Sequence, residues 1–107
     1  MHISSKLCWV AALLIGAGTH PTAFANHELA QRGGCLACHA VATKVVGPAY
    51  QDVAKKCQGQ KDAEATVVNN IKKGGSGKWG PIPMPAQTAL SDADAKALAK
   101  WILGLAK

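Results

Sequence analysis

The stretch Cys35-Leu36-Ala37-Cys38-His39 decides how this chain of 107 residues folds. Its two cysteines stand three positions apart, and a histidine follows the second cysteine directly. Three kinds of site use a thiol pair at this spacing. They are a redox-active dithiol, half of a zinc site, and the attachment point of c-type haem, where both thiols add to vinyl groups and the histidine ligates the iron.

The segment upstream of this stretch has the features of a secretory leader. After Lys6, residues 7–18 form an apolar run without a charge, and Ala23-Phe24-Ala25 offers a small-residue cleavage site. A run of 12 residues is too short to cross a bilayer, which takes about 20. We therefore predict a signal peptide over residues 1–25 and one domain over residues 26–107, exported to the periplasm without stable membrane insertion.

Composition narrows the function of this domain. The leader contains one charged residue, Lys6, and its removal lowers the net charge from +6 to +5. Export, dispersed lysines and only three aromatic residues (Tyr50, Trp79 and Trp101) argue against nucleic acid as a partner and favour weak docking onto an acidic protein. A domain of about 80 residues also builds only a small apolar core, so we expect an additional stabilising group.

The remaining sequence favours haem at the thiol pair. A thioredoxin-like dithiol belongs in a βαβ unit, but no alternating run is long enough to predict a strand. A zinc site needs further cysteine or histidine ligands, and after the leader only Cys57 and His27 remain. We predict one covalently bound haem c, with Cys35 and Cys38 as its thioethers and His39 as an iron ligand.

A haem iron that transfers electrons needs a second axial ligand. We interpret His27, next to the new N-terminus, as a solvated side chain rather than a ligand. Lysines are also poor candidates, because they are strongly hydrated cations. Met84 lies in KWGPIPMP, residues 78–85, where three prolines exclude a helix interior or a central strand and stiffen the chain. A thioether suits low-spin iron, and no helical periodicity explains Met84 as core filling. Met84 is therefore the predicted distal ligand.

Apolar residues at helical spacing predict four short helices. Glycines and prolines interrupt residues 74–90, so we expect a loop there. The predicted helices cover residues 27–31 capped by Asn26, a second helix with Pro48 in its first turn and Cys57 on its inner face, residues 62–73, and a C-terminal helix capped by Ser91 with Asp94 as box partner.

Three segments together are similar to the small class I bacterial cytochromes c of the c551 (c8) type: GCLACHAVATKVVGPAYQDVAKK (34–56), GKWGPIPMP (77–85) and LSDADAKALAKWILGLAK (90–107). The resemblance implies the all-α small class I cytochrome c fold, with about four short helices, the N- and C-terminal ones crossing, around the covalent haem. It also implies that the Pro48 carbonyl accepts from the free ring N–H of His39 and that Trp79 donates its indole N–H to a haem propionate.

Two positions depart from the family pattern. Asn70 stands where the family often has a basic residue close to a propionate, so a pH-dependent potential does not carry over with the resemblance. Cys57 stands where a bulky apolar residue is expected. Its thiol is either a small buried hydrophobe or the means of joining two chains. We expect a monomer.

The expected function is that of a soluble periplasmic one-electron carrier without catalytic activity, because the sequence has no paired carboxylates and no nucleophile with its base. The resemblance suggests that it links respiratory-chain donors to a nitrite reductase, a terminal oxidase or a cytochrome c peroxidase. Candidates for docking onto acidic surfaces near the exposed haem edge are Lys44, Lys55, Lys56, Lys72, Lys73 and Lys78. Two alternatives stay open: a haem enzyme or gas sensor from which Met84 departs, and a colourless dithiol protein.

Overall fold

The structure, a computed structural model, describes residues 22–106 and the isolated Gly16, without the side chains of residues 22–25. Most of the predicted signal peptide, residues 1–25, lies outside these described residues. In the described range no helix combines the length and the apolar character that crossing a membrane requires. The elements are α1 Thr22–Arg32, a 3-10 helix Cys35–Ala37, α2 Tyr50–Cys57, α3 Ala63–Lys73, β1 Gly75–Gly77, β2 Gly80–Met84 and α4 Asp92–Leu103.

The first helix is longer than predicted. α1 begins at Thr22, so Asn26 lies inside the helix and does not cap it. Nothing in residues 23–25 breaks a helix, and alanine in particular favours one, so the helix continues upstream of the predicted start. α1 contacts α4, and its fully buried Ala30 belongs to the core that the two helices share. This is the contact between the first and last helices that the resemblance implied.

The second and third helices agree with the prediction except at Pro48. α2 begins at Tyr50 because Ala49, its N-cap residue, has extended backbone, which leaves Pro48 outside the first turn. The predicted inner face is confirmed, since Tyr50, Ala54 and Cys57 are buried. Cys57 is only 4% exposed, which agrees with its interpretation as a small buried hydrophobe.

The prediction of a loop over residues 74–90 is wrong in its first part, where β1 and β2 form an antiparallel ribbon. Gly75 pairs with Met84 and Gly77 with Gly80, with an irregularity between the two pairs. A strand that pairs on one side only tolerates proline, because residues along it alternate between facing the partner and facing away. The prolines at 81, 83 and 85 alternate with the paired residues, and the ribbon therefore forms despite them.

The last helix and its Ser91 cap form as predicted, but among the described residues the Asp94 side chain makes no return hydrogen bond to Ser91, so the predicted box is half formed. The Ser91 side chain accepts a hydrogen bond from the backbone N–H of Asp94 at 3.1 Å, which satisfies one free donor of the first turn. Ala95, Leu98, Ala99 and Ile102 form its buried face. α4 contacts α1, α2 and α3, so it is the helix around which the others assemble.

The apolar core contains many small residues. Five of its members are alanines, and Leu98 is the one large side chain that is fully buried in the described part of the chain. Alanines let helices approach closely, but each removes little apolar area from water. The buried core residues are Ala30, Ala49, Tyr50, Ala54, Cys57, Val67, Ile71, Ala95, Leu98, Ala99 and Ile102.

Candidate haem site

The Cys-x-x-Cys-His stretch is wound into one tight turn. Gly34 precedes it with φ of 76°, a left-handed conformation that favours glycine. The backbone N–H groups of Cys38 and His39 both donate to the Cys35 carbonyl, at 3.2 and 3.0 Å. The turn therefore brings both thiols and the imidazole close to one another, as a single covalent attachment point requires.

The His39 ring is held from two sides. Its Nδ1 lies 2.8 Å from the Pro48 carbonyl oxygen. A carbonyl can only accept, so Nδ1 carries the proton and Nε2 keeps its lone pair available for a metal. Tyr50 stacks on the ring, with centroids 5.1 Å apart and an interplanar angle of 18°. The tautomer and the plane of the imidazole are thus both set by the protein.

Gly47 completes the His39 environment by its lack of a side chain. A Cβ at this position would lie 2.9 Å from His39 Nδ1 and 3.0 Å from Nε2. Separations of this kind are below normal van der Waals contact for carbon. Only glycine therefore allows the loop before Pro48 to pass so close to the imidazole.

Four of the predicted site residues line one cavity of about 120 Å³: Cys35, Cys38, His39 and Met84. Met84 lies 45 positions after His39 in the sequence and farther still from the two cysteines, and the fold brings all four together. Two thiols, one neutral imidazole nitrogen and one thioether suit the vinyl groups and the iron of haem c. Apolar side chains from three helices form most of the remaining walls, which Pro85 and Gln87 complete, so the residues present fit the group.

The state of the Cys35 thiol argues against the dithiol alternative. Burial raises its pKa, and the hydrogen bond from the Tyr50 hydroxyl offsets that only in part. Catalytic dithiols have a lowered thiol pKa, because the thiolate is the reactive form. In the described part of the chain Cys35, Cys38 and Cys57 are all free of disulfides. The Cys35 thiol therefore lacks the activation that a reactive thiol of such a site needs.

Met84 is placed by the base of the ribbon. It ends β2, is half-buried and pairs with Gly75. Gly74 has φ of 66°, and a Cβ there would overlap the Met84 carbonyl and lie 2.8 Å from the Ala86 nitrogen. A backbone approach this close is possible only at glycine. The start of β1 thus fixes the position from which the thioether reaches the cavity.

Trp79 lies at the opposite end of the ribbon, in the turn between β1 and β2. Its side chain is partly exposed, at 38%. The Lys56 ammonium lies 4.3 Å from its ring centroid and also donates to the Lys78 carbonyl at 3.2 Å. The predicted indole bond to a propionate concerns a group outside the protein chain, and it stays a prediction.

Several cavity residues were not predicted as site residues from the sequence: Tyr50, Ile71, Gln87, Leu98 and Ile102. The helical spacing of the apolar ones predicts that they face inward, which is correct but does not say what they surround. Gln87 had no signal at all, because it follows the ribbon in irregular backbone. Its N–H donates to the Ile71 carbonyl at 3.0 Å and its side-chain amide to the Pro85 carbonyl at 3.0 Å.

Comparison with known proteins agrees with this geometry. The sequence model of the family described as cytochrome c matches residues 24–106. Cytochrome c-552 of Hydrogenobacter thermophilus is 57% identical over 82 residues, which cover 77% of this chain and 83% of that protein. Cytochrome c-551 of Pseudomonas aeruginosa is 60% identical over 70 residues, covering 65% and 66%. The crystal structure of wild-type Nitrosomonas europaea cytochrome c552 superposes with a TM-score of 0.73 at 54% identity, covering 74% of this chain and 98% of that one.

Proposed function

Because the chain belongs to the cytochrome c family, and therefore carries one covalently bound haem c and transfers electrons without being an enzyme, we propose that it is a periplasmic one-electron carrier with His39 and Met84 as axial ligands. When bound, haem c supplies an Fe(III)/Fe(II) couple that accepts or releases one electron. The observation that carries the proposal is that both thiols, the imidazole and the thioether line a single cavity.

His39 is the proposed proximal ligand through Nε2. The hydrogen bond from Nδ1 to the Pro48 carbonyl orients the ring. It also makes Nε2 more basic and so a stronger electron-pair donor to a metal. Electron transfer favours a site that changes little between oxidation states. The stacking of Tyr50 and the close packing of Gly47 restrict ring rotation, so the protein contributes rigidity on this side.

Met84 is the proposed distal ligand. A neutral sulfur donor favours the ferrous state relative to harder ligands and so raises the potential. Burial of the site in apolar walls adds to this, since a low dielectric disfavours the extra positive charge of the ferric state. Trp79, on the same ribbon, is the proposed donor to a haem propionate.

Met84→Ala tests the ligand assignment directly. We expect the ferric protein to lose its weak far-red sulfur-to-iron absorption band and the reduction potential to fall, because water or another weak ligand replaces sulfur. Ile82→Ala is the matched control, since Ile82 lies two residues away in β2 but is 63% exposed. A far-red band that survives in Met84→Ala would rule out Met84 as the ligand.

Carbon monoxide distinguishes the carrier from a haem enzyme or gas sensor. A Met84–iron bond that persists in the reduced protein leaves no free coordination position, so we expect slow and weak binding of carbon monoxide to the native protein. Met84→Ala should bind it readily and serves as the positive control. Tight binding to the unaltered protein would favour the sensor or enzyme.

Export to the periplasm is supported by the apolar run at residues 7–18 and the Ala23-Phe24-Ala25 site. Cleavage after Ala25 would leave a domain of residues 26–107 that retains part of α1. The mass of the protein purified from the periplasmic fraction tests both statements, since it reports the cleavage position and the compartment together.

The proposed partners are redox proteins with acidic surfaces, such as a nitrite reductase, a terminal oxidase or a cytochrome c peroxidase. The structure refines the lysines that are available for docking. The Lys72 ammonium lies 3.0 Å from an Asp92 carboxylate oxygen and donates to the Leu90 carbonyl, so it is occupied within the protein. Exposed lysines with no partner among the described residues are better candidates: Lys44, Lys55, Lys73 and Lys78.

A further inference from the structure

Lys56 contacts the ribbon that ends in Met84 at two points. It lies in the last turn of α2, and its ammonium is 4.3 Å from the centroid of the Trp79 ring. The same ammonium donates to the Lys78 carbonyl at 3.2 Å. An ammonium has three donors and a full positive charge, so one group can serve the carbonyl and the electron-rich ring face together.

The two ends of the ribbon are fastened differently. At the base, Gly75 pairs with Met84, and Gln87 is joined to α3 through the Ile71 carbonyl. At the tip, residues 76–83 are all exposed, with Trp79 at 38% and Ile82 at 63%, so apolar burial contributes little there beyond the Trp79 ring. Among the described residues, the side-chain hydrogen bonds and cation–π contacts connect the tip to the helices through Lys56 alone.

We propose that Lys56 is a positioning residue that clasps the tip of the ribbon to α2 through Trp79 and the Lys78 carbonyl, and thereby keeps Met84 closed on the iron. The inference rests on the proposed function, since it assumes that Met84 is a ligand. The contacts of the Lys56 ammonium are with Trp79 and the Lys78 carbonyl and not with Met84, so it acts through the ribbon. Lys56 and Lys72 are the docking candidates whose ammonium groups have partners inside the molecule, and of these two only Lys56 contacts the ribbon.

The clasp should control how often the ribbon opens. A ribbon that is fixed only at its base pivots there, and pivoting carries Trp79 and Met84 away from the cavity together. The ammonium opposes this motion because opening would break the hydrogen bond and the ring contact at once. Loss of the clasp should therefore increase the open population, in which Met84 has left the iron, without unfolding the helices.

The test compares Lys56→Met with Lys55→Met in the haem-loaded protein. Both variants lose one charge from the same helix turn and keep a long apolar stem, but Lys55 has no described contact with the ribbon. The readout is the far-red band of the ferric protein, followed from about 10 to about 60 °C. Helix content is measured in parallel, so that band loss in the folded protein is distinguished from unfolding. We expect Lys56→Met to raise the equilibrium constant for loss of the band about three- to tenfold and Lys55→Met to leave this constant unchanged. Lys56→Arg keeps a cation over the ring, so its constant should lie close to that of the unaltered protein.

Two results would overturn the clasp. One is equal band loss in Lys56→Met and Lys55→Met; the other is band loss in Lys56→Met that only follows loss of helix content, which would indicate general destabilisation. Failure of the underlying function has a different signature, because the unaltered protein would then lack the band, or Met84→Ala would keep it. A Lys56→Met and Trp79→Leu double variant completes the test, since a shared clasp predicts an effect smaller than the sum of the two.

Discussion

Gly47 shows how one residue without a side chain can set the geometry of a proposed metal ligand, His39. A Cβ there would overlap the His39 ring, so Gly47→Ala must either push the imidazole away from the Pro48 carbonyl or displace the loop. We expect a loss of about 1–3 kcal/mol in the free energy of unfolding, as for other overpacked sites, together with a shifted reduction potential.

The control for this prediction is Gly104→Ala. Gly104 follows α4, and a Cβ there would lie 3.4 Å from the nearest atom, an ordinary contact. Guanidinium unfolding should show a change within about 0.5 kcal/mol for this variant. If Gly47→Ala behaves like Gly104→Ala in both stability and potential, the close approach at His39 has no energetic weight.

Tyr50 should couple stability to high pH. Burial, foremost, and the neighbouring Cys35 raise its pKa well above the usual 10.0. If Cys35 is the thioether proposed above, it carries no ionisable thiol in the haem-loaded protein, and burial remains as the cause of the raised Tyr50 pKa. Below pH 10 both the folded and unfolded states keep the phenol proton; above it the unfolded state loses the proton first, so stability falls as pH rises.

Tyr50 is the only tyrosine of the chain, which makes this behaviour directly measurable. We expect absorbance at about 295 nm to show no phenolate in the folded protein near its usual pKa of 10, and ionisation to appear only together with unfolding. Tyr50→Phe should lose this part of the pH dependence above pH 10. Reversible ionisation near pH 10 with the helices intact would contradict the buried environment.

At the same scale, the sequence specifies the ligands better than the walls. The proposed ligands Cys35, Cys38 and His39 lie within one short motif, residues 35–39, which identifies them locally, and Met84 follows from counting the few alternatives. The walls come from Tyr50 in α2, Ile71 in α3 and Leu98 in α4. Helical spacing predicts that each faces inward, but only tertiary packing determines which cavity they share.

Among the elements, the helices were predictable and the ribbon was not. α3 and α4 carry apolar stripes of period 3.6 with recognisable ends, and the Ser91 cap forms as expected. Both faces of the ribbon are exposed, since every residue of β1 and β2 except Met84 is exposed. Neither strand therefore shows the alternation of apolar and polar residues that would predict it. Pairing there depends on glycines that admit unusual φ values, at Gly75, Gly77 and Gly80, and on prolines that alternate with the paired positions.

The base of the ribbon gives a prediction at the element scale. Gly74→Ala introduces a Cβ that would collide with the Met84 carbonyl and the Ala86 nitrogen, at a residue whose φ is 66°. We expect the ribbon to shift and the far-red band of the ferric protein to weaken or vanish. The cost should exceed the roughly 1–3 kcal/mol of holding alanine at φ 66° and ψ −161°, a region that essentially only glycine occupies.

Gly59→Ala separates the two causes. Gly59 has a similar φ of 81°, but a Cβ there would meet nothing within 4 Å. It should show the strain of a positive φ without the collision, with the far-red band intact. Equal losses of stability and of the band in both variants would mean that the close approach at Gly74 does not position Met84.

At the scale of the whole molecule, the domain is organised around a group that the chain does not itself supply. Its buried residues include five alanines and one fully buried large side chain, which is a modest core for a domain of this size. The walls of the haem cavity are also members of the core cluster, as Tyr50, Ile71, Leu98 and Ile102 show. The site and the core are therefore the same part of the molecule, and the motif at residues 35–39 predicts both.

Charge also acts on the whole molecule and should govern its encounters. An excess of positive charge attracts an acidic partner over distances of about 10 Å at 0.1 M salt and less at higher salt. We expect the rate constant for electron transfer to an acidic redox partner to fall as ionic strength rises.

Lys72→Gln and Lys73→Gln remove the same net charge, so long-range attraction weakens equally in both. Because the Lys72 ammonium already binds Asp92 and the Leu90 carbonyl, whereas Lys73 is exposed, Lys73→Gln should lower the rate further if the partner docks there. Stopped-flow kinetics across ionic strength would measure both effects, and a rate independent of salt would remove electrostatic attraction from the account of docking.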